Sequence, residues 1–106
     1  MSTTIPRGNL LKLFAVSVTW NPAAVATITT AEQTVPVPGV QVGDLVVTYI
    51  KPTNTVGAMP VNARVSAADT VAVTFVNPTA GSVDPASETW TFIIARPEPL
   101  GTIFNA

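Results

Sequence analysis

Residues 70–77 read Thr70-Val71-Ala72-Val73-Thr74-Phe75-Val76-Asn77, with Val71, Val73 and Phe75 alternating against Ala72, Thr74 and Val76. Alternation at period two over eight residues predicts a half-buried β-strand. On its N-terminal side, Ser66-Ala67-Ala68-Asp69 is a tight connection to a second short strand, Val61 to Val65, and together the two predict a hairpin. On its C-terminal side come two successive turns opened by Asx-Pro pairs, Asn77-Pro78-Thr79-Ala80-Gly81 and Asp84-Pro85-Ala86-Ser87. Beyond them, Glu88 to Arg96 places Trp90, Phe92 and Ile94 on one face and Thr89, Thr91, Ile93 and Ala95 on the other. Trp90 and Phe92 therefore belong to the core.

The same punctuation continues toward the N-terminus. Ten prolines and six glycines leave segments too short for ordinary helices. Leu11 to Thr19 is the first strand, with Phe14, Val16 and Val18 inward. Ala24 to Thr30, after the Asn21-Pro22 turn, is a second candidate, with Val25 and Ile28 inward. Gln33 to Pro38 carries Pro36 and Pro38 and is demoted to an edge strand. Leu45-Val46-Val47-Thr48-Tyr49-Ile50 is the most continuous apolar run, as expected of a strand covered on both faces. Thr53 to Pro60 is the longest loop. Six or seven strands separated by turns predict an all-β fold, a small antiparallel β-sandwich of immunoglobulin-like or jelly-roll-like kind. Residues 1–22 are assigned to an extended N-terminal arm and the first strand, 23–97 to the sandwich, and 98–106 to a C-terminal tail.

Composition narrows the function. Sixteen valines and sixteen threonines among 106 residues favour strands. Charged residues make up 10% of the chain, against about a quarter in a typical soluble domain. A surface this poor in charge is expected to face a partner. The formal charge is −1, and the clustered lysines and arginines of a nucleic-acid-binding domain are missing. No apolar run reaches the roughly 18 to 20 residues of a membrane-spanning helix. The stretch Leu13 to Val18 is also short for the apolar region of a signal peptide, so the strand reading is preferred. Neither nucleic acid nor membrane is expected as a partner.

The chain has no cysteine and no histidine, so thiol nucleophiles, thiolate metal sites and the commonest general base are absent. Asp69-Thr70-Val71 has valine where an aspartic-protease triplet needs glycine, and is read as a turn. Asp84 and Glu88 are separated by a proline turn rather than set on one helical face, and are read as turn carboxylates. Neither Lys12 nor Lys51 sits with a serine in a recognisable nucleophile motif. Gly39, Gly43 and Gly57 are isolated turn residues, and the acidic residues lack calcium-loop spacing. No catalytic residue, cofactor or metal is expected, and the chain is read as a non-enzyme.

Several phrases carry a resemblance. They run from Thr29-Thr30-Ala31-Glu32-Gln33-Thr34, through Gly39-Val40-Gln41-Val42-Gly43-Asp44-Leu45-Val46, to Arg64-Val65-Ser66-Ala67-Ala68-Asp69-Thr70-Val71. They continue in Phe75-Val76-Asn77-Pro78-Thr79-Ala80-Gly81 and Thr89-Trp90-Thr91-Phe92-Ile93-Ile94-Ala95-Arg96-Pro97. Over roughly residues 24 to 97 the chain resembles the capsid decoration, or cement, proteins encoded among the head genes of tailed bacteriophages. The resemblance implies an all-β homotrimer seated on the outer capsid surface at three-fold and quasi-three-fold positions. Its expected partners are the major capsid protein and its own copies, and its expected location is the virion.

Given that implied partner, the apolar Ile5, Leu10, Leu11 and Phe14 are expected to dock against the capsid. Trp20, at a strand end, and Ile103 and Phe104, in the tail, are further interface candidates, since apolar residues outside the periodic core need cover. Arg7, Arg64 and Arg96 are expected to anchor partner carboxylates at the rim. The alternative is a carbohydrate- or host-binding β-module on the virion or tail, for which Trp20, Trp90, Tyr49 and the phenylalanines would form a stacking platform.

Overall fold

The computed structural model describes residues 10–98. They form six strands: β1 (Leu10–Trp20), β2 (Thr29–Pro36), β3 (Leu45–Ile50), β4 (Met59–Ala67), β5 (Thr70–Asn77) and β6 (Glu88–Pro97). Every pairing is antiparallel. Two three-stranded sheets, β1-β6-β3 and β2-β5-β4, face each other, giving the small all-β sandwich expected from the alternating patterns. Only β4 and β5 are consecutive neighbours in one sheet; every other connection passes between the sheets.

The two strands with the clearest alternation, β5 and β6, are the central strands, which explains why they were the easiest to read. A central strand has one face buried along its length, so its inward positions are predominantly apolar, with Asn77 at the end of β5 the buried polar exception. Phe75, Trp90, Phe92 and Ile94 are completely buried, joined by Val25, Val35, Val37, Val71 and Val73. Trp90 sits at the middle of the core. Its ring stacks on Phe92, meets Trp20 and Phe75 edge-on at 5.0 and 6.0 Å, and lies 6.0 Å from Tyr49.

The predicted hairpin is present, and Asp69 makes its turn. It has φ +56, a left-handed conformation that Asp tolerates better than most residues. Its Oδ1 accepts from Gly39 N at 2.8 Å, tying the hairpin to the β2–β3 connection. Gln33 to Pro38 was expected at an edge, and β2 is an edge strand ending at Pro36.

Three expectations are corrected. Ala24 to Thr30 is not a strand: β2 starts at Thr29, and Val25 is buried through a single bridge to Val83. Ile28, expected to point inward, is 75% exposed at φ +46, where the chain turns into β2. The Thr53 to Pro60 loop is shorter than expected, because β4 begins at Met59, with a bulge after Pro60 absorbing the irregular pattern. Third, β3 is not covered on both faces. It is an edge strand whose Leu45, Val47 and Ile50 are all more than half exposed.

The end of the sandwich with the most connections is held by a buried amide. Asn77 Nδ2 donates to the carbonyls of Val25 and Gly81, both at 2.9 Å, and its Oδ1 accepts from Thr79 N and Oγ1. One side chain thus bonds backbone groups of two loops outside the six strands, beside the Val25–Val83 bridge that also joins them. Gly57 lies in the same region at φ +89, and a Cβ there would come within 2.9 Å of Val83 Cγ2, so only glycine fits the turn.

Candidate functional site

The two sheets have very different outer faces. On the β2-β5-β4 sheet the outward side chains include Thr30, Glu32, Thr34, Thr74, Asn62 and Arg64, and Arg64 forms a two-pronged pair with Glu32 at 2.9 Å. This is an ordinary solvated face. On the β1-β6-β3 sheet the outward positions are Leu11, Leu13, Ala15, Ser17 and Thr19 from β1, and Thr89, Thr91, Ile93 and Ala95 from β6. From β3 come Leu45, Ile50 and the bulged pair Val47 and Thr48. None of them is charged.

Register turns these positions into a graded surface. Leu13, Ala95 and Leu45 stand in one cross-strand row, and Ala15, Ile93 and the β3 bulge in the next. Leu11, Leu13, Leu45 and Val47 are 62%, 61%, 54% and 58% exposed. Toward the other end the rows become hydroxylated, and Ser17 bonds Thr91 at 2.9 Å while Thr19 bonds Thr89 at 3.2 Å. A contiguous apolar, charge-free patch on a sheet face is the usual mark of an interaction surface, whereas a lone exposed leucine is not.

The expected site residues divide accordingly. Leu10 and Leu11 are exposed, Leu11 within the patch and Leu10 next to it. Phe14 is half-buried and packs on the core, with Lys12 Nζ 4.9 Å and the Arg96 guanidinium 5.6 Å from its ring. Trp20 is corrected: at 8% exposure it is a core residue. β1 continues one residue past Thr19, and that step carries Trp20 to the next inward position after Phe14, Val16 and Val18. Ile5, Arg7, Ile103 and Phe104 lie outside the described residues.

Arg64 and Arg96, expected at the rim, each pair with a carboxylate of the chain itself. Arg64 pairs with Glu32 at the surface, its side chain 57% exposed. Arg96 Nε and one terminal nitrogen hold Asp44 at 2.9 and 2.8 Å, and the same terminal nitrogen donates to Gly39 O. This clamp pins the β2–β3 connection to the end of β6, beside the apolar patch. Lys51 is used in the same way: it bonds Glu88 at 2.7 Å, with both side chains largely sequestered, and Glu88 also accepts from Thr53. Of the residues weighed as possible nucleophile partners or turn acids, Lys51 and Glu88 are therefore a structural staple, and Lys12 and Asp84 are exposed. Compared with known proteins, the chain matches no family model, no curated protein and no solved structure. The face itself is what the functional reading must rest on.

The stacking platform that a sugar-binding module would need is not formed among the described residues. Trp20, Phe75, Trp90 and Phe92 are buried, and Tyr49 is half-buried with its hydroxyl donating to Pro60 O at 3.2 Å. These rings are used in packing.

The staples make stability depend on pH. The hydrogen bonds from Arg64, Arg96 and Lys51 hold the carboxyls of Glu32, Asp44 and Glu88 below their ordinary values. A group whose folded-state pKa is lowered contributes stability above its unfolded pKa and loses it as pH falls through the folded value. The urea midpoint is expected to be flat between pH 5 and pH 8 and to drop progressively below about pH 4.5. A midpoint unchanged down to pH 2 would show that these pairs do not hold the fold.

Proposed function

We propose that the chain is a structural virion protein that seats on the outer surface of an expanded phage capsid and stabilises the head without chemistry. The observation that carries this reading is the charge-free apolar face of the β1-β6-β3 sheet. A face of that kind is stabilised by covering it, and a protein that binds only the expanded lattice stabilises that lattice by mass action. The particular partner, the major capsid protein, comes from the resemblance of residues 24 to 97. So does the trimeric seat at three-fold and quasi-three-fold positions.

The test is the copy number of the chain in purified virions of the phage that encodes it, with wild-type protein and with Leu45→Glu. Wild-type protein is expected in parity with the major capsid protein, and deletion of its gene is expected to lower the heat resistance of the head. Leu45→Glu places an unpaired carboxylate in the covered face, and binding is expected to fall at least about tenfold in a protein that still folds. Absence of the chain from virions would overturn the proposal. A few copies per particle would also overturn it, in favour of a tail- or fibre-associated module.

A further inference from the structure

The four edge strands of the sandwich are not alike. β2 carries Pro36, and Gln33 covers part of its edge by exchanging two hydrogen bonds, at 2.7 and 2.9 Å, with the backbone of Ala23. β3 is only six residues long and is bulged between Val46 and Thr48. β4 carries Pro60 and two bulges. Proline, bulges and short length are the devices that keep sheet edges from pairing with other chains. β1 has one of them, a bulge at its N-terminal end between Leu10 and Lys12. It is eleven residues long, contains no proline, and is regularly paired with β6 from Lys12 to Trp20. No other strand lies along its outer edge among the described residues. Lys12 is its single charged residue.

We propose that β1 pairs edge to edge with β1 of a second copy of this chain, joining two β1-β6-β3 sheets into one six-stranded antiparallel sheet. A second copy is the favoured occupant because an open, unblunted strand edge is complementary to another of the same kind, and the two-fold relation makes the contact self-complementary. The register follows from the strand itself. Full overlap of Leu10–Trp20 with its copy centres the pair on Ala15, so that Ala15 faces Ala15, Leu13 faces Ser17, and Phe14 faces Val16. Lys12 then faces Val18. The two Lys12 side chains lie about six residues, or roughly 20 Å, apart, beyond the range at which like charges repel strongly at physiological salt. A pair centred on Lys12 would instead oppose the two charges directly and lose ladder bonds.

The contact also extends the outer face. Both copies present Leu11, Leu13, Leu45 and Val47 on the same side of the joined sheet, so pairing enlarges the apolar surface and leaves it uncovered. The edge contact is therefore separate from the capsid-facing role proposed above and does not rest on it. It is a two-fold contact, and it pairs copies whether or not those copies also meet around a three-fold axis.

The test uses the full chain, whose lack of cysteine makes an engineered one unambiguous. Opposed residues of an antiparallel pair have Cα atoms about 4.5 or 5.5 Å apart, within disulfide range in either case. Ala15→Cys is expected to give a covalent dimer of twice the 11.0 kDa chain mass under mild oxidation, at least tenfold faster than the exposed control Ser82→Cys. Ala15→Lys, which sets two ammonium groups against each other at the two-fold, is expected to halve the native mass by light scattering. Leu45→Glu, on β3 at the opposite edge of the sheet from β1, is expected to leave that mass unchanged. Cross-linking of Ala15→Cys no faster than the control, or an assembly mass that a folded Ala15→Lys protein retains, would overturn the inference.

Discussion

Trp20→Ala is expected to lower the free energy of unfolding by about 3–5 kcal/mol, the cost of removing a large aromatic side chain from a core that cannot fully collapse around the loss. Trp20 lies edge-on to Trp90 at 5.0 Å and 5.6 Å from the Phe75 ring. Its deletion therefore strips contacts from the two largest side chains of the central strands at once. Domains of this size have roughly 5–15 kcal/mol in total, so the variant is expected to be partly unfolded near its former working temperature. The measurement is a urea titration followed by tryptophan fluorescence, in which the midpoint falls while the slope stays the same. A change within about 0.5 kcal/mol, the range of surface substitutions, would return Trp20 to the surface. The result also governs how binding data are read, because loss of capsid or glycan binding in Trp20→Ala would report unfolding and not a missing contact.

How far the fold was legible follows from what each strand borders. β5 and β6 are central, so their burial is set by the two sheets facing each other, and period two shows it directly. The apolar run of β3 has two possible physical causes: cover on both faces within the fold, or cover on one face with apolar side chains left exposed on the other. Leu45, Val47 and Ile50 belong to the second case, and nothing in their spacing separates it from the first. Trp20 was misplaced by one residue of strand length, which at a period of two decides between inside and outside. Ile28 was misread for a different reason. A β-branched residue at φ +46 runs against backbone preference, so no local pattern announces it.

The candidate site was legible in kind and not in detail. Low charge and high β-branched content predict a face turned to a partner; the fold has an exposed apolar sheet face, with Leu11 on it and Leu10 next to it. Arg64 and Arg96 were assigned to a partner because their carboxylates, Glu32 and Asp44, stand 32 and 52 positions away in the chain. Such pairs are created by sheet register and by the crossing connections, which composition does not encode. The charge-free surface is in part a consequence of this internal pairing. Arg96 and Lys51 are bound to acids of the same chain, so two of the five basic residues are held away from the exposed apolar face, while Arg64 pairs with Glu32 on the outer face of the other sheet.

Asn77→Asp tests the buried amide with a pH profile of opposite sign to that of the wild-type protein. The substitution keeps the shape and keeps the acceptor that takes hydrogen bonds from Thr79, but it replaces Nδ2 by an oxygen facing the carbonyls of Val25 and Gly81 at 2.9 Å. In the neutral acid one hydroxyl can donate to one of those carbonyls, so one bond is lost at a cost of about 1–3 kcal/mol. In the ionised acid both donors are gone and a charge is buried against two carbonyl dipoles, which raises the folded-state pKa of the carboxyl above its unfolded value near 3.9. For a carboxyl raised in this way, stability is greatest below the unfolded pKa and falls by about 1.4 kcal/mol per pH unit until the folded pKa is passed. The urea midpoint of the variant is therefore expected to decline between pH 5 and pH 8, where the wild-type midpoint is flat. At pH 7 the variant is expected to be several kcal/mol less stable, with the damage concentrated where the loops holding Val25 and Gly81 meet β5. A flat profile would mean that water or a shifted loop relieves the carboxylate. The two loops would then be held by the Val25–Val83 bridge and not by Asn77.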